Sequence, residues 1–339
     1  MAPPPQSPSL DVHSAPRRAF RVLITGFGPF RQFKTNPSWL AVKPLQNTTL
    51  SFGSKHPSEQ DDHYEIHISA FQMPVTYDAV LENVPKLHLR PPVLPKLPLE
   101  HPVYIPPEDA GKEGEKKQAE IDAGSDLIDE DEPFLPLDPP PADGYDFILH
   151  VGVGGKGGLK VERLGHKSGY QGSDAAGKMA EVVAREPYNE SKGEKEKVIR
   201  GFGVGYEGFE QEIHTGINVD KLVASLKESG IEHIDASNDA GRYLCDFIYY
   251  CSLAESKRTV DSGLNTKGTP TLFLHCPPIG EPLETKEVTE GIQRIVTWVC
   301  KDLAIQKQPK SQGISGATSD STWIGHLLSF LSTAVQFCC

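Results

Sequence analysis

Apolar and polar residues form blocks along this chain that predict strands alternating with helices. Short apolar or alternating runs predict strands at residues 20–25, 64–70, 145–151, 159–164, 231–236 and 271–275. Apolar residues at helical spacing predict helices from Pro37, over 77–87, over 218–229, after Leu244 and over 288–303. This alternation favours an α/β fold, with a single three-layer αβα domain around a largely parallel, twisted sheet. Functional groups are then expected at the carboxyl ends of the strands.

Two stretches at the amino-terminal side and in the middle of the chain do not fit this pattern. Residues 1–18 are rich in Pro and Ser and are predicted to be a disordered arm, so the α/β domain is expected to span 19–305. Residues 89–143 are Pro-rich at both ends and carry an acidic run at 129–132. We interpret them as a mostly disordered insertion, and a linker between two domains is the alternative.

The pattern is also weak in two later stretches. Residues 171–215 contain few regularly spaced apolar positions and are predicted to be loop-like. Residues 306–339 contain a polar linker followed by a short apolar segment at 323–331. The chain ends at Cys338 and Cys339, but its last four residues are not a C-a-a-X box, so lipidation is not favoured.

Composition narrows the classes of function. The formal net charge of −12 argues against a nucleic-acid partner. No apolar run approaches the ~20 residues of a membrane span, and the amino terminus lacks the apolar core of a secretory signal. The six cysteines show no paired C-x-x-C spacing, which argues against a zinc site or a disulfide framework. We therefore expect a cytoplasmic protein without a metal.

Cys245 is the first candidate for chemistry, because it lies in the first turns of a predicted helix. The buried stripe of that helix is formed by Leu244, Phe247, Ile248 and Cys251, and its predicted N-cap and turn residues are Asn238, Asp239 and Gly241. Unpaired N–H groups and the helix dipole favour a thiolate there, and the thiolate is the nucleophile. This segment alone favours the alternative, a buried structural cysteine.

A histidine and a carboxylate could support such a nucleophile. His275 ends a predicted strand and could act as a base, although a structural histidine is the simpler interpretation, and His150 and His166 also lie near strand ends. Glu162 lies on the face of its short strand opposite Val161. It is either a surface carboxylate or the group that orients a catalytic histidine.

The glycine-rich stretch 152–157 formally matches the dinucleotide-binding pattern G-x-G-x-x-G. That pattern requires a helix after the glycines, whereas residues 159–164 predict a strand. Lys156 is followed by Gly rather than Ser or Thr, so the stretch is not a P-loop either. Nucleotide binding is not predicted.

Four ordered groups of segments carry a family resemblance. They are 25–30 with 36–39, 150–155 with 161–163 and 165–170, 239–250, and 273–280. Together they resemble the pyroglutamyl-peptidase I family of cysteine peptidases. The similarity covers about 20–85, 144–170 and 218–304, and it departs in the insertion, in 171–215 and after about 305.

The resemblance implies a role for each matched residue. Cys245 would be the nucleophile, His275 the general base and then acid, and Glu162 the orienting carboxylate. Phe27 and Phe30 match the family's ring-binding phenylalanines. The implied activity removes an N-terminal pyroglutamyl residue from peptides through an acyl-enzyme, with no metal or organic cofactor. A catalytically weak peptide-binding scaffold and an amidase with a non-peptide substrate are the alternatives.

Overall fold

The computed structural model describes residues 18–31, 33–54, 62–102, 138–187, 196–263 and 266–307. Residues 1–17 of the predicted amino-terminal arm, residues 103–137 of the insertion and the tail after residue 307 lie outside the described residues, whereas residue 18 begins the first strand. The expectations for those three segments therefore stay predictions.

The described residues form strands and helices in the predicted alternation. The strands are β1 (Arg18–Phe27), β2 (Thr48–Ser54), β3 (Asp62–Met73), β4 (Phe147–Val153), β5 (Leu159–Glu162), β6 (Leu164–His166), β7 (Val182–Glu186), β8 (Lys197–Arg200), β9 (Glu212–His214), β10 (Ile234–Ser237) and β11 (Thr271–Cys276). The helices are α1 (Pro37–Val42), α2 (Tyr77–Leu87), α3 (Val219–Glu228), α4 (Leu244–Asp261) and α5 (Thr285–Lys307), and a 3₁₀ turn (Lys43–Leu45) follows α1. α1 begins at Pro37, as predicted, and the side chain of Asn36 caps it.

The main sheet has seven strands in the order β10-β5-β11-β4-β1-β3-β2. β11, β4, β1 and β3 are parallel, β2 is antiparallel to β3, and β5 with its parallel neighbour β10 runs opposite to β11. The sheet is therefore mixed but largely parallel. Because β3 precedes the insertion and β4 follows it, and both pair with β1, a single sheet includes both sides of the insertion.

The sheet lies between two layers of helices, which confirms the α/β fold. Successive residues of β4 point to opposite faces, so Phe147 and Leu149 join one core and Ile148 joins the other. The first core contains apolar side chains of α1, α3 and α5, and the second contains those of α2 and α4. Such two-sided burial explains why β4 is an almost continuous apolar run.

The prediction that 171–215 is loop-like is wrong in part. β7 and β8 form an antiparallel pair, and β9 pairs with β6. The region also packs on α4, where the ring of Phe202 stacks on Phe247 with centroids 4.0 Å apart. The strands gave little sequence signal because they are short and β7 is mostly exposed, so apolar and polar positions do not alternate.

Both flanks of the insertion contact the domain. Leu94, Leu97 and Leu99 are partly buried against the core that contains α2 and α4. On the other side, Arg21 donates a hydrogen bond to the carbonyl of Pro139. Packing therefore extends into residues 89–102 even though they form no helix or strand.

Among the described residues, no helix has the length and apolar character that crossing a membrane requires.

Candidate active site

Cys245 is the second residue of α4, as expected for a thiol in the first helical turn. The N-cap prediction is wrong, because the N-cap residue is Tyr243, with φ −140° and ψ −161°, and its side chain makes no capping hydrogen bond. Asp239 instead accepts hydrogen bonds from the Gly241 amide and the Arg242 guanidinium. Gly241 adopts φ +80°, which confirms the predicted tight turn before the helix.

The other cysteine of α4, Cys251, has a structural role. Cys251 is fully buried and lies 3.3 Å from the hydroxyl of Tyr206. Burial raises the pKa of Cys251, and the neutral thiol is inert. Cys245 is only half-buried and lines a cavity. Position along the same helix therefore separates a packing cysteine from an accessible one.

His275 and Glu162 form a hydrogen-bonded pair beside Cys245. The imidazole Nδ1 of His275 lies 2.8 Å from Oε1 of Glu162. Glu162 is 1% exposed, so it is not a surface carboxylate. It lies directly opposite Phe273 on the antiparallel strand, two residues before His275, so the pair is a diagonal cross-strand contact.

The strand that carries Glu162 does not fit the expectation that functional groups lie together at the carboxyl ends of parallel strands. His275 comes from the carboxyl end of β11, as predicted, but β5 runs antiparallel to β11. The carboxyl end of β5 therefore does not lie at the same edge as that of β11. Glu162 reaches the site from a strand of opposite direction, and only the register of the two strands brings it there.

The electrostatics of His275 favour the imidazolium. Burial opposes protonation, but the charge on Cys245 and the hydrogen bonds to Cys245 and Glu162 outweigh it and raise the pKa of His275 to about 10. The imidazole of His275 therefore holds a proton at neutral pH, and its positive charge faces the sulfur of Cys245. Because Glu162 contacts Nδ1, that nitrogen carries a proton and donates it to the carboxylate in a hydrogen bond. The other ring nitrogen, Nε2, is then the one that can exchange a proton with a group near Cys245.

The other two candidate histidines have different partners. His150 is fully buried against the hydroxyl of Thr25, and burial together with the nearby His88 lowers its pKa to about 3. The ring of His166 lies 3.0 Å from a carboxylate oxygen of Asp246. Neither of them lines the cavity that contains Cys245 and His275.

Two glycines at the end of β4 give the reactive side chains room. A Cβ on Gly152 would lie 2.8 Å from Sγ of Cys245 and 2.8 Å from the ring of Phe273. A Cβ on Gly154 would lie 3.2 Å from Cβ of His275. The first glycines of the stretch that resembles a nucleotide-binding pattern thus allow the side chains of Cys245 and His275 to approach the sheet.

The cavity at this site has a volume of about 280 Å³. Its lining comprises Phe27, Phe30, Arg31, Phe33, Asn36, Val75, Val153, Gly154, Ala240, Tyr243, Leu244, Cys245 and His275. The structure therefore brings together four sequence-predicted residues in one cavity wall, with Glu162 directly behind His275. The aromatic content of the wall suits a small neutral ring.

Sequence reasoning missed several residues of the wall. Tyr243 stacks on Phe30 with ring centroids 5.3 Å apart. Asn36 donates a hydrogen bond to the carbonyl of Gly28 and so holds the loop that follows Phe27 and carries Phe30. Their chemistry is common in cores and caps, so only their placement identifies them as part of the site.

A buried network lies on the side of α4 next to the nucleophile. The Asp246 carboxylate is fully buried and accepts hydrogen bonds from the His166 amide and the Tyr170 hydroxyl, and it contacts the His166 ring. Burial raises the pKa of Asp246, although its hydrogen-bond partners oppose this effect. The network attaches residues 166–170 to the first turn of the helix.

No set of three or more His, Cys, Asp or Glu side chains in the described parts of the chain is arranged to hold a metal ion. A thiol, an imidazole and a carboxylate instead lie next to one another in the order Cys245, His275, Glu162, and the imidazole is hydrogen-bonded to the carboxylate. An α/β domain with this series has the arrangement that cysteine hydrolases use, in which the third group orients the base.

Comparison with known proteins gives a narrower assignment. The chain is 24% identical to the human protein pyroglutamyl-peptidase 1 over 283 residues, which cover 83% of this chain and 89% of that protein. It is 30% identical to pyrrolidone-carboxylate peptidase of Pyrococcus furiosus over 145 residues, 42% of this chain and 56% of that protein. The chain is therefore a homologue of the pyroglutamyl-peptidase I enzymes, which are cysteine peptidases.

Pyroglutamyl peptidase I of Bacillus amyloliquefaciens superimposes with a TM-score of 0.47 and 19% identity, over 81% of this chain and 94% of that one. No protein-family model matches the chain.

Proposed function

We propose that the chain is a cysteine exopeptidase that hydrolyses an N-terminal pyroglutamyl residue from peptides through a thioester acyl-enzyme. The observation that carries this proposal is the placement of Cys245 and His275 in one aromatic cavity, with Glu162 buried against the imidazole. The homologous enzymes are named for this activity.

In the first half of the reaction, the Cys245 thiolate attacks the carbonyl carbon of the pyroglutamyl residue. The tetrahedral intermediate collapses, the C–N bond breaks, and the His275 imidazolium gives its proton to the departing amine. The products of this half are a thioester on Cys245 and a peptide with a free amino terminus. Glu162 keeps the imidazole in the orientation and tautomer that this proton transfer needs.

In the second half, neutral His275 takes a proton from water, and the hydroxide attacks the thioester. The C–S bond then breaks, pyroglutamate leaves, and the thiolate–imidazolium pair is restored. Every proton is returned, so no metal or organic cofactor is required by this sequence of steps.

The backbone at the start of α4 is our candidate for the oxyanion hole. Cys245 lies in the first helical turn, where N–H groups have no partner within the helix, and the Tyr243 side chain does not cap them. The amide of Cys245 can therefore donate to the negatively charged oxygen of the intermediate, and the helix dipole adds to that stabilisation.

The lactam ring fits the aromatic side of the cavity. Phe27 is 4% exposed, and its ring lies close to the sulfur of Cys245. A Cβ atom placed on Gly152 would lie 3.5 Å from the edge of the Phe27 ring and 2.8 Å from that sulfur. Phe30 and Tyr243 form a stacked pair next to Phe27. A neutral ring has no charge to pair, so apolar contact with these rings provides its binding energy.

Hydrolysis of a pyroglutamyl-arylamide tests the proposal. The wild type should release the arylamine, and Cys245→Ser should lose nearly all of that turnover because the nucleophile is gone. A prolyl-arylamide, which carries a charged ring nitrogen in place of the lactam, should be a poor substrate. Equal slow release by the wild type and Cys245→Ser would refute the assignment.

We also infer a cytoplasmic location. Cys245, Cys251, Cys276 and Cys300 are free thiols, and a thiol nucleophile works best where thiols stay reduced. Cell fractionation with an antibody against the native chain measures this directly.

A further inference from the structure

Arg31 occupies an unusual backbone position in the wall of the cavity. It follows Phe30 directly and has φ +50°, a left-handed conformation that residues with a side chain rarely adopt. Such a conformation persists where the surroundings hold it and is often found at ligand sites. Arg31 lines the same cavity as Cys245 and His275.

Two aromatic rings hold the guanidinium group in place. Its central carbon lies 5.0 Å from the centroid of the Phe30 ring and 5.7 Å from that of Tyr243. The faces of aromatic rings attract cations, and stacking keeps the N–H edge of the guanidinium free. Within the described ranges, no carboxylate forms an ion pair with Arg31, although the side chain is exposed.

The position of the Arg31 guanidinium relative to Cys245 determines which part of a bound substrate the guanidinium can contact. Phe27, next to the sulfur, is buried, whereas Phe30 is half-buried and Arg31 is exposed. The charge therefore lies at the open rim of the cavity. The pyroglutamyl ring is neutral and terminal, so the part of the substrate that extends toward the rim is the leaving peptide.

A short pyroglutamyl peptide carries one obligatory charge. Its amino terminus is blocked as a lactam, so only the C-terminal carboxylate is always ionised. In a dipeptide that carboxylate lies about one residue, roughly 3.5 Å along the chain, beyond the scissile bond. A guanidinium group binds a carboxylate through two parallel hydrogen bonds.

We propose that Arg31 forms a carboxylate subsite for the residue that follows pyroglutamate. The inference rests on the proposed function and names its preferred substrates: pyroglutamyl dipeptides with a free C-terminus, or peptides with an acidic side chain directly after the pyroglutamyl residue. The chain has a net charge of −12, so a cation at the rim offsets a field that otherwise repels such substrates.

Two pairs of substrates separate the two sources of the carboxylate. The first is pyroglutamyl-alanine against its C-terminal amide, and the second is pyroglutamyl-glutamate amide against pyroglutamyl-glutamine amide. We expect the wild type to favour the carboxylate in kcat/KM by about fivefold to tenfold in at least one pair, and less at high salt. A preference in the first pair assigns the main-chain carboxylate, and one in the second assigns the side chain.

Variants connect that preference to Arg31. In Arg31→Gln the ratio within each pair should fall to about one, whereas Arg31→Lys should keep part of it because the charge remains. Any general loss of activity cancels in the ratio. Lys178→Gln, which removes an exposed cation paired with Asp78 away from the cavity, should keep the wild-type ratio.

The failures of the two proposals are distinguishable. If the wild type cleaves the neutral pyroglutamyl-arylamide but shows no preference in either pair, or if Arg31→Gln keeps the preference, the subsite is refuted and the peptidase assignment stands. If the wild type does not cleave the arylamide, the peptidase assignment itself fails.

Discussion

Gly152 and Gly154 determine how closely the side chains of Cys245 and His275, the proposed nucleophile and base, approach the sheet. Both are placed on or next to the end of β4, and neither needs a positive φ. Their importance is therefore steric, since a methyl group at either position would overlap a catalytic side chain or crowd it. The reactive residues depend on these small neighbours as much as on their own chemistry.

Replacing Gly152 with alanine should therefore disable the site without unfolding the domain. The new methyl group would displace the Cys245 sulfur or the Phe273 ring, and a displacement of ~1 Å can lower the rate by about a hundredfold. Steady-state kinetics on the pyroglutamyl-arylamide would measure the loss, and circular dichroism would show that the fold is kept. Gly155→Ala is the matched control, because no atom lies within 4 Å of its Cβ position. Equal activities of the two variants would contradict this steric role.

Glu162→Gln should change both the rate and its pH dependence. The carboxylate stabilises the imidazolium, so its removal lowers the pKa of His275, and the alkaline limb of kcat/KM should move to lower pH. The maximal rate should fall by about a hundredfold because the imidazole loses its orienting partner. The profile of kcat/KM against pH measures both effects.

Glu290→Gln is the control for that variant, since it removes an exposed carboxylate on α5 that pairs with Arg294. Its pH profile should coincide with that of the wild type. An alkaline limb that stays in place in Glu162→Gln would show that Glu162 does not support the charge on His275.

At the scale of elements, α4 is the helix on which the site is built. Its first two turns are buried on nearly all sides, with Asp246, Phe247, Tyr249 and Tyr250 each at most 1% exposed. β6 and the segment after it contact this helix on one side, and the Phe202 ring covers it on another. The position of Cys245 therefore depends on packing from regions far away in sequence.

Asp246→Ala should lower the free energy of unfolding by about 3 kcal/mol, because the His166 and Tyr170 donors lose their buried acceptor. Urea denaturation measures this loss. Asp235→Ala, which removes an exposed partner of Lys227, should cost at most about 1 kcal/mol. Similar losses in both variants would contradict a special role for the network.

The sequence predicts elements well where one physical signal dominates. The central strands are buried on both faces, so their apolar runs identify them, and the turn at Gly241 identifies the start of the Cys245 segment. β2, an edge strand of the sheet, was not predicted, because Leu50 and Phe52 are the only large apolar residues in it and two positions give too weak a pattern. The N-cap was misplaced because Asp239 bonds to its own turn rather than to the helix.

At the scale of the whole molecule, the site depends on strand order, which local patterns do not contain. Glu162 meets His275 only because β5 lies antiparallel to β11 in a particular register. The spacing of residues along one strand predicts the face of Glu162 but not its partner. Similarity to a known family supplied that pairing at the sequence level, and cross-strand geometry explains it.

One flank of the insertion packs close to the wall of the cavity. His101, at the edge of its described flank, lies so near Gly28 that a Cβ on that glycine would be 2.2 Å from the His101 ring. Gly28 lies between Phe27 and Phe30. The flank of the insertion therefore packs against the loop between Phe27 and Phe30.

In the proposed reaction, Cys245 carries the pyroglutamyl group during turnover. The most direct measurement is mass spectrometry of the protein after brief mixing with a pyroglutamyl-arylamide and quenching in acid, followed by peptide mapping. The wild type should gain the mass of one pyroglutamyl group on the peptide that contains Cys245, and Cys245→Ser should gain none. Turnover of the substrate with the added mass on another residue, or an equal gain in Cys245→Ser, would contradict the claim.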